Sequence, residues 1–166
     1  MTGIENLVVR EIDAQEFHLL WPVFHEVVAA GDTYSYPPDI GFDEARRLWT
    51  GAGTRCFIGT IENDCVGGYM LHANQPGLGN HVAHAGYMVA ARFRGRGIAG
   101  LLCEHSLTQA RAAGFGAMQF NCVVSTNGVA VRLWQKHGFA IVGRVPKAFR
   151  HSRDGLVDVF VMHRFL

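Results

Sequence analysis

Apolar residues in the first fifty positions recur mainly at helical spacing. Residues 8–12 form a short apolar-rich stretch that predicts a strand. Apolar positions between Phe17 and Val28 then recur three and four residues apart, which predicts a helix that Asp13 can cap. Pro22 interrupts this pattern, so the helix is expected either to bend there or to begin later. After a loop rich in Gly and Pro, Asp43 is expected to cap a second short helix.

The middle of the chain has the pattern of strands separated by turns. Residues 55–62, 65–72 and 81–89 are strand-like, and the segments between them carry Asn-Asp in one case and Pro and Gly in the other. These residues therefore predict an antiparallel meander.

From residue 97 onward, strands alternate with helices. A helix is predicted over 97–113, a strand over 117–124, a helix from Asn127 to the stop at Gly138, and strands over 139–144 and 157–162. This order predicts an α/β protein with a mixed sheet that is parallel where a helix crosses over. Because no repeat or linker divides the chain, we expect residues 1–166 to form a single domain.

Composition adds a contrast between the two halves of the chain. The 166 residues are 49% hydrophobic and carry a formal net charge of +1, which argues against a nucleic-acid binder held by bulk charge. Residues 1–80 nevertheless contain 11 acids and 4 bases, whereas residues 81–166 contain 3 acids and 11 bases. Such asymmetry calls for a specific explanation.

Several classes of protein lose support. The N-terminus has no basic and apolar leader, and no stretch reaches the roughly 18 apolar residues of a membrane span. The four cysteines form no CxxC pair and the nine histidines show no metal-ligand spacing. We therefore expect a cytoplasmic protein with reduced thiols, no metal and no membrane partner.

The segment from Arg92 to Gly100, RFRGRGIAG, is the most informative part of the sequence. It joins a strand to a helix, where glycines let the backbone approach a ligand and free N–H groups favour an anion such as phosphate. The nucleotide pattern GxxxxGK[ST] is absent. A dinucleotide fold is disfavoured too, because the turn follows a meander and no acidic residue lies near position 120.

Two motifs resemble those of the GNAT superfamily of N-acetyltransferases. Arg94-Gly95-Arg96-Gly97-Ile98-Ala99 matches the family pattern Q/R-x-x-G-x-G/A, and Val89 precedes it at the usual spacing. The segment from Asn127 to Phe139 matches a second element, Asn…Ala…Leu-Tyr-x-Lys-x-Gly-Phe. Segments near Asn121 and at the C-terminus are also similar to a subgroup that acts on small amines, of the azetidine-2-carboxylate type.

The resemblance implies a fold and a cofactor. The fold is the GNAT fold, a mixed central sheet of six to seven strands with a V-shaped splay, flanked by about four helices. The cosubstrate is acetyl-CoA. Residues 94–99 would hold its pyrophosphate, the backbones of Met88 and Val89 its pantetheine arm, and Asn127 would reach that arm from the other side. Lys136, together with Arg132 and Arg150, is a candidate for the 3′-phosphate, unless these are solvated surface charges.

Acetyl transfer to an amine needs a base for the amine proton, donors for the oxyanion of a tetrahedral intermediate, and a way for the thiolate to leave. Trp134 occupies the position where family members often have an acidic Tyr, and an indole N–H does not release a proton. Water or Ser125 could protonate the thiolate instead, or the thiolate could leave unprotonated. The helical spacing of Trp134 from other apolar residues is also typical of a core residue.

Three residues are candidates for catalysis. Asn121 lies within an apolar strand, where a buried amide must be hydrogen-bonded, and it could orient the substrate or serve only the local backbone. His84 and Tyr87 lie on the strand before the glycine turn, with side chains expected on opposite faces. Either could take the amine proton, and Tyr87 could also form a wall of the site, although a lone strand histidine is often structural.

The loop after the first helix carries Tyr34 and Tyr36, which would form the amine pocket by the same resemblance, or else a proline-stiffened surface turn. The sequence therefore predicts an N-acetyltransferase acting on a small amine such as an amino acid, with a homodimer expected. The alternatives are a protein acetyltransferase and a non-catalytic acyl-CoA sensor.

Overall fold

The computed structural model describes residues 6–166, and its strands form a single seven-stranded sheet. The strands are β1 (Val8–Ile12), β2 (Arg55–Ile61), β3 (Asp64–Ala73), β4 (Val82–Val89), β5 (Ala117–Val124), β6 (Ala140–His151) and β7 (Gly155–Phe165). The α-helices are α1 (Trp21–Ala29), α2 (Phe42–Thr50), α3 (Ile98–Ala112) and α4 (Gly128–Lys136). The predicted α/β class, strand number and helix number are confirmed.

The sheet opens in its middle. The strand order is β1-β2-β3-β4-β5-β7-β6, and every neighbouring pair is antiparallel except β4 and β5. Those two strands pair only where Val82 lies opposite Ala117 and Ala83 lies opposite Met118, and beyond these positions they separate. The resulting V-shaped opening, called the gap below, is the predicted splay.

Each face of the sheet has its own core, because side chains alternate along the strands. The core of one face joins α3 to the sheet through residues such as Leu102 and Met118. The core of the other face is formed under α1 and α2 around Phe24 and Trp49. The gap connects the two faces. Within residues 6–166, no helix is both long and apolar enough to cross a membrane.

The first helix begins later than Asp13. The Asp13 carboxylate accepts from the N–H groups of Gln15 and Glu16 at 2.8 and 3.0 Å, immediately before a short 3₁₀ helix, Glu16–Leu19, whose N-cap residue is Gln15. The α-helix starts at Trp21 and places Pro22 in its first turn, where a missing N–H breaks no bond. Of the two options that the sequence left open, the later start is correct.

The cap predicted at Asp43 is wrong by two residues. Gly41 occupies the N-cap of α2, and Asp43 lies in the first turn. A carboxylate there still interacts favourably with the positive end of the helix.

The last two strands are longer than predicted. Polar residues and a bulge between Val145 and Phe149 hide the periodicity of β6 in the sequence. Within the bulge, the Lys147 N–H donates to the Asp158 carboxylate on β7 at 2.8 Å, which holds the two strands together there. The extra length carries the hairpin tip, residues 151–155, back to the end of α1. There Ser152 donates from its N–H to the Gly31 carbonyl and from its hydroxyl to the Ala30 carbonyl, both at 2.9 Å.

Candidate functional site

A cavity of about 1100 Å³ passes through the gap from one face of the sheet to the other. On the α3–α4 face it is lined by the glycine turn and by α4. On the α1–α2 face it is lined by the hairpin tip and by residues 32–36, which belong to the segment 31–41 called the acceptor loop below. The volume exceeds that of a typical single-ligand pocket, so two ligands can meet in the gap.

The glycine turn forms an anion site at one mouth of the cavity. Gly95 and Gly97 have φ of 75° and 81°, a left-handed conformation that favours glycine. Gly97 is the N-cap of the 15-residue α3, whose first turn contains no acidic residue. The free N–H groups at this helix start, with Arg94 beside them, suit a phosphate group.

The three arginines of the turn have different surroundings. The guanidinium groups of Arg92 and Arg96 lie over the Phe93 ring, 4.8 and 5.2 Å from its centroid. Arg92 also pairs with Asp64 at 3.2 Å. Only Arg94 of the three lines the cavity.

Helix α4 brings polar groups to the same mouth. The Asn127 side-chain oxygen accepts from the Ala130 N–H at 3.2 Å, as the predicted cap requires, which leaves its amide N–H groups for another partner. Arg132 and Lys136 line the cavity, whereas Arg150 does not. The Lys136 and Arg132 candidates are therefore near one another, and Arg150 is removed from the set.

The free edge of β4 supplies donors in the gap. The Val82 carbonyl and the Ala90 N–H bond towards β3, so alternation turns the backbone groups of Tyr87 and Val89 towards the gap. The backbone of Met88 belongs to the ladder with β3, and its buried side chain lines the cavity. The expectation of backbone contacts from Met88 and Val89 is thus corrected to Tyr87 and Val89.

The Tyr87 hydroxyl does not face the cavity. It lies 2.6 Å from the Ser106 hydroxyl on α3, and burial raises the pKa of Tyr87 well above its ordinary value. Its ring packs on Trp134 at 4.9 Å between centroids. Tyr87 therefore contributes backbone and ring rather than an acid or base, and Trp134 is the core residue that its spacing predicts. Ser125 is not among the lining residues.

His84 has a fixed tautomer. Its Nδ1 lies 2.9 Å from the Gln119 carbonyl oxygen, which can only accept, so Nδ1 carries the hydrogen and Nε2 the lone pair. Burial lowers the pKa of His84, and the nearby His72 ring, 5.2 Å away, lowers it further. His84 lines the cavity as a neutral imidazole at pH 7.

Asn121 is exposed, contrary to the expectation of a buried amide. It lies in a bulge of β5 between Phe120 and Val123, where pairing with β7 is interrupted. Its side-chain oxygen accepts from Gln119 at 2.9 Å and its amide donates to Asn74 at 2.7 Å. The bulge turns Asn121 into the cavity, a feature without a sequence signal of its own.

The tyrosines of the acceptor loop line the opposite mouth. Tyr34 and Tyr36 stack at 5.4 Å between centroids, and burial raises the pKa of both. The Tyr34 hydroxyl donates to the Tyr87 carbonyl in the gap at 2.9 Å, whereas the Tyr36 hydroxyl accepts from Trp49 at 3.2 Å. Sequence reasoning missed Gly86, where an added Cβ would lie 2.9 Å from the Tyr34 oxygen. Glycine within a strand is the available signal for such a close approach.

Except for Arg96, the predicted site residues line this one cavity. They are Tyr34, Tyr36, His84, Tyr87, Met88, Val89, Arg94, Gly95, Gly97, Ile98, Ala99, Asn121, Asn127 and Lys136. Among residues 6–166, no group of three potential metal ligands is present.

A cavity that crosses a sheet from an anion-binding turn to a second polar mouth suits a group-transfer enzyme with a phosphate-bearing donor. Residues 15–139 match the Acetyltransferase (GNAT) family. The chain belongs to this family and is an N-acetyltransferase that uses acetyl-CoA.

Similar proteins agree with this assignment. The chain is 24% identical over 168 residues to an L-amino acid N-acetyltransferase, AaaT, of Escherichia coli, covering 97% of this chain and 99% of that protein. It is 31% identical over 97 residues to N-acetyltransferase aca1 of Schizosaccharomyces pombe, covering 58% of this chain but only 46% of that protein. The solved structure of a GCN5-related N-acetyltransferase from Kribbella flavida has a TM-score of 0.92 and 42% identity, covering 99% of this chain and 100% of that one.

Proposed function

We propose that the chain transfers the acetyl group of acetyl-CoA to an amine of a small molecule, an amino acid or an analogue of one. The observation that carries the proposal is the gap itself, which joins an anion-binding turn to a polar mouth past the free N–H groups of β4. The acceptor loop and the hairpin tip both line the second mouth and are joined by the bond from the Ser152 N–H to the Gly31 carbonyl, which favours a small acceptor over a protein substrate.

The residues present fit acetyl-CoA. The free N–H groups at the glycine turn and the Arg94 side chain would hold the pyrophosphate, and Arg132 and Lys136 offer charge for a further phosphate. Asn127 has amide N–H groups for the pantetheine arm. When bound, the cosubstrate supplies a thioester carbonyl that an amine can attack, and the N–H groups of Tyr87 and Val89 are the donors available to its oxygen.

On the acceptor side, His84 is the base that the proposal assigns. The lowered pKa keeps the ring neutral at neutral pH, so the Nε2 lone pair is free to accept a proton from the acceptor amine. Asn121 would orient the acceptor through its exposed amide. Arg153, on the hairpin tip, lines the cavity and belongs to none of the ion pairs among residues 6–166, so it is available to an acceptor carboxylate.

The test combines binding and turnover. Acetyl-CoA at about 100 times its Kd should raise the melting temperature by about 5 °C or more, since a ligand that binds only the native state stabilises it. Free thiol should then appear with some members of a panel of amino acids and small amines. Failure of acetyl-CoA to shift the melting temperature would overturn the proposal. A shift without thiol release from any amine would favour the sensor instead. The azetidine-2-carboxylate subgroup stays a prediction, and proline analogues in the panel address it.

We also propose a homodimer through β6. This twelve-residue strand forms one edge of the sheet, and its Val142 side chain is 61% exposed beside the exposed Ile141 and Val145. An edge strand with apolar side chains readily pairs with another chain. Light scattering should give a dimer mass for the protein and a monomer mass for Val142→Lys. A monomeric unsubstituted protein would contradict this interface.

A further inference from the structure

The acceptor side of the cavity contains two buried polar atoms that lack a hydrogen-bond partner within residues 6–166. They are one carboxylate oxygen of Asp32 and the hydroxyl oxygen of Thr33. Both residues line the cavity. Native structures pair nearly all such atoms, because an unpaired buried polar group costs free energy. The missing partner is therefore expected to come from a ligand.

These atoms belong to the part of the acceptor loop that leads up to the gap. The preceding residue, Gly31, is held by the hairpin tip through the bond from the Ser152 N–H to its carbonyl. The residue after Thr33 is Tyr34, which needs the whole length of its side chain to reach the Tyr87 carbonyl in the gap. Asp32 and Thr33 thus line the same mouth as Tyr34 but precede the residue that reaches the gap.

The charges around this pair select the ligand chemistry. Asp154, the other acid among the described residues that lines the cavity, has a side chain that is 54% exposed, so its carboxylate is open to solvent. Asp32 is in none of the ion pairs among the described residues. A carboxylate repels anions and accepts from N–H donors, and a hydroxyl oxygen beside it accepts as well. An ammonium group, with three donors, matches two such acceptors.

We propose that Asp32 and Thr33 bind a second, non-reacting protonated amino group of the acceptor, so that the preferred acceptors are diamino compounds. This inference rests on the proposed function, because it concerns the acceptor mouth of the same cavity. A diamino acid would place its second ammonium at Asp32 while its carboxylate met Arg153, which agrees with the proposed amino acid class.

The test compares acceptors that differ only in the second amino group. Lysine is paired with norleucine and ornithine with norvaline, and kcat/KM is measured by thiol release for the unsubstituted protein, Asp32→Asn and Thr33→Val. We expect the diamino member to be preferred about tenfold or more, as for a charge-assisted hydrogen bond. Asp32→Asn should abolish the preference and leave the monoamino member within about twofold. Asp39→Asn, an exposed acid of the same loop outside the cavity, should keep the preference.

Melting temperatures make the result independent of turnover. A purely structural role for Asp32 predicts that Asp32→Asn melts lower, whereas an unpaired buried oxygen predicts an unchanged or higher melting temperature without ligand. In the presence of CoA, lysine should raise the melting temperature of the unsubstituted protein more than norleucine does. Equal loss with both acceptors in Asp32→Asn, or no preference in the unsubstituted protein, would overturn the inference. If no amine releases thiol, the proposed function fails and the melting shifts alone decide.

Discussion

Gly86→Ala tests whether the position of the Tyr34 hydroxyl matters to catalysis. The added Cβ would lie 2.9 Å from the Tyr34 oxygen and 3.2 Å from the Met70 Cε. Met70 can move its flexible end, but the Tyr34 ring is rigid and stacked on Tyr36. The hydroxyl must therefore leave the Tyr87 carbonyl, which it contacts at 2.9 Å.

The expected effects on stability and activity differ. Loss of one neutral hydrogen bond costs about 1 kcal/mol, and replacing a strand glycine by alanine recovers about 0.4–1 kcal/mol. The melting temperature should then change by no more than about 4 °C. A displacement near the reacting atoms can cost up to about a hundredfold in rate, so we expect kcat/KM for the acceptor to fall at least about tenfold. The thermal shift produced by acetyl-CoA should be unchanged, since the glycine turn is untouched.

Two further variants serve as controls for the clash at Gly86. Gly116→Ala adds a Cβ where no atom lies within 4 Å, and it should keep its activity. Tyr34→Phe keeps the ring and removes the oxygen, so adding Gly86→Ala to it should cause no further loss beyond about twofold. If instead the two losses multiply in the double variant, the clash between the Cβ and the hydroxyl is not the cause.

Three other predictions test separate parts of the site. Asn121→Ala should lower turnover far more than melting temperature, because the side chain is exposed; equal loss of both would support a structural role. Arg94→Ala should weaken acetyl-CoA binding about tenfold, while Arg92→Ala should change it little, as titration calorimetry can measure. Burial lowers the pKa of His84 in the folded protein. Below about pH 6.5 this histidine therefore binds a proton more readily in the unfolded chain than in the folded one, so the free energy of unfolding decreases as the pH falls towards the pKa of the folded state. His84→Gln should remove that loss in melts across pH, and it should remove the acidic limb of the rate profile.

Local chemistry made much of the fold predictable. The glycines at 95 and 97 and the Asn127 cap each demand a particular backbone geometry, so the strand–helix junctions follow from residue type alone. The helices near Pro22 and Asp43 begin at residues other than those predicted from caps at Asp13 and Asp43. A carboxylate can stabilise the N–H groups of a 3₁₀ turn or of the first helical turn as well as those at an N-cap.

The catalytic side of the site was less predictable because it depends on contacts distant in sequence. The Tyr87 hydroxyl meets Ser106 on α3, a contact set by packing between a strand and a helix. The exposure of Asn121 depends on a bulge against β7, and the importance of Gly86 on a tyrosine 52 positions earlier. Periodicity assigns a side chain to a face of a strand, but it does not say which atom of another element it meets.

The charged residues of the two halves occupy different places in the structure. All four bases of residues 1–80, Arg10, Arg46, Arg47 and Arg55, pair with acids of the same half at the surface. Among residues 6–80, Asp32 is the one acid that lines the cavity. All four lining bases come from the second half, and Arg94, Arg132 and Lys136 among them lie at the mouth with the glycine turn. Three of the eleven bases of the second half thus lie where a phosphate-bearing cosubstrate would bind, whereas among residues 6–80 one carboxylate, that of Asp32, lies at the acceptor mouth. The proposed recognition of a cationic acceptor would therefore depend on Asp32 itself and not on the diffuse field of the acidic half, which salt would screen.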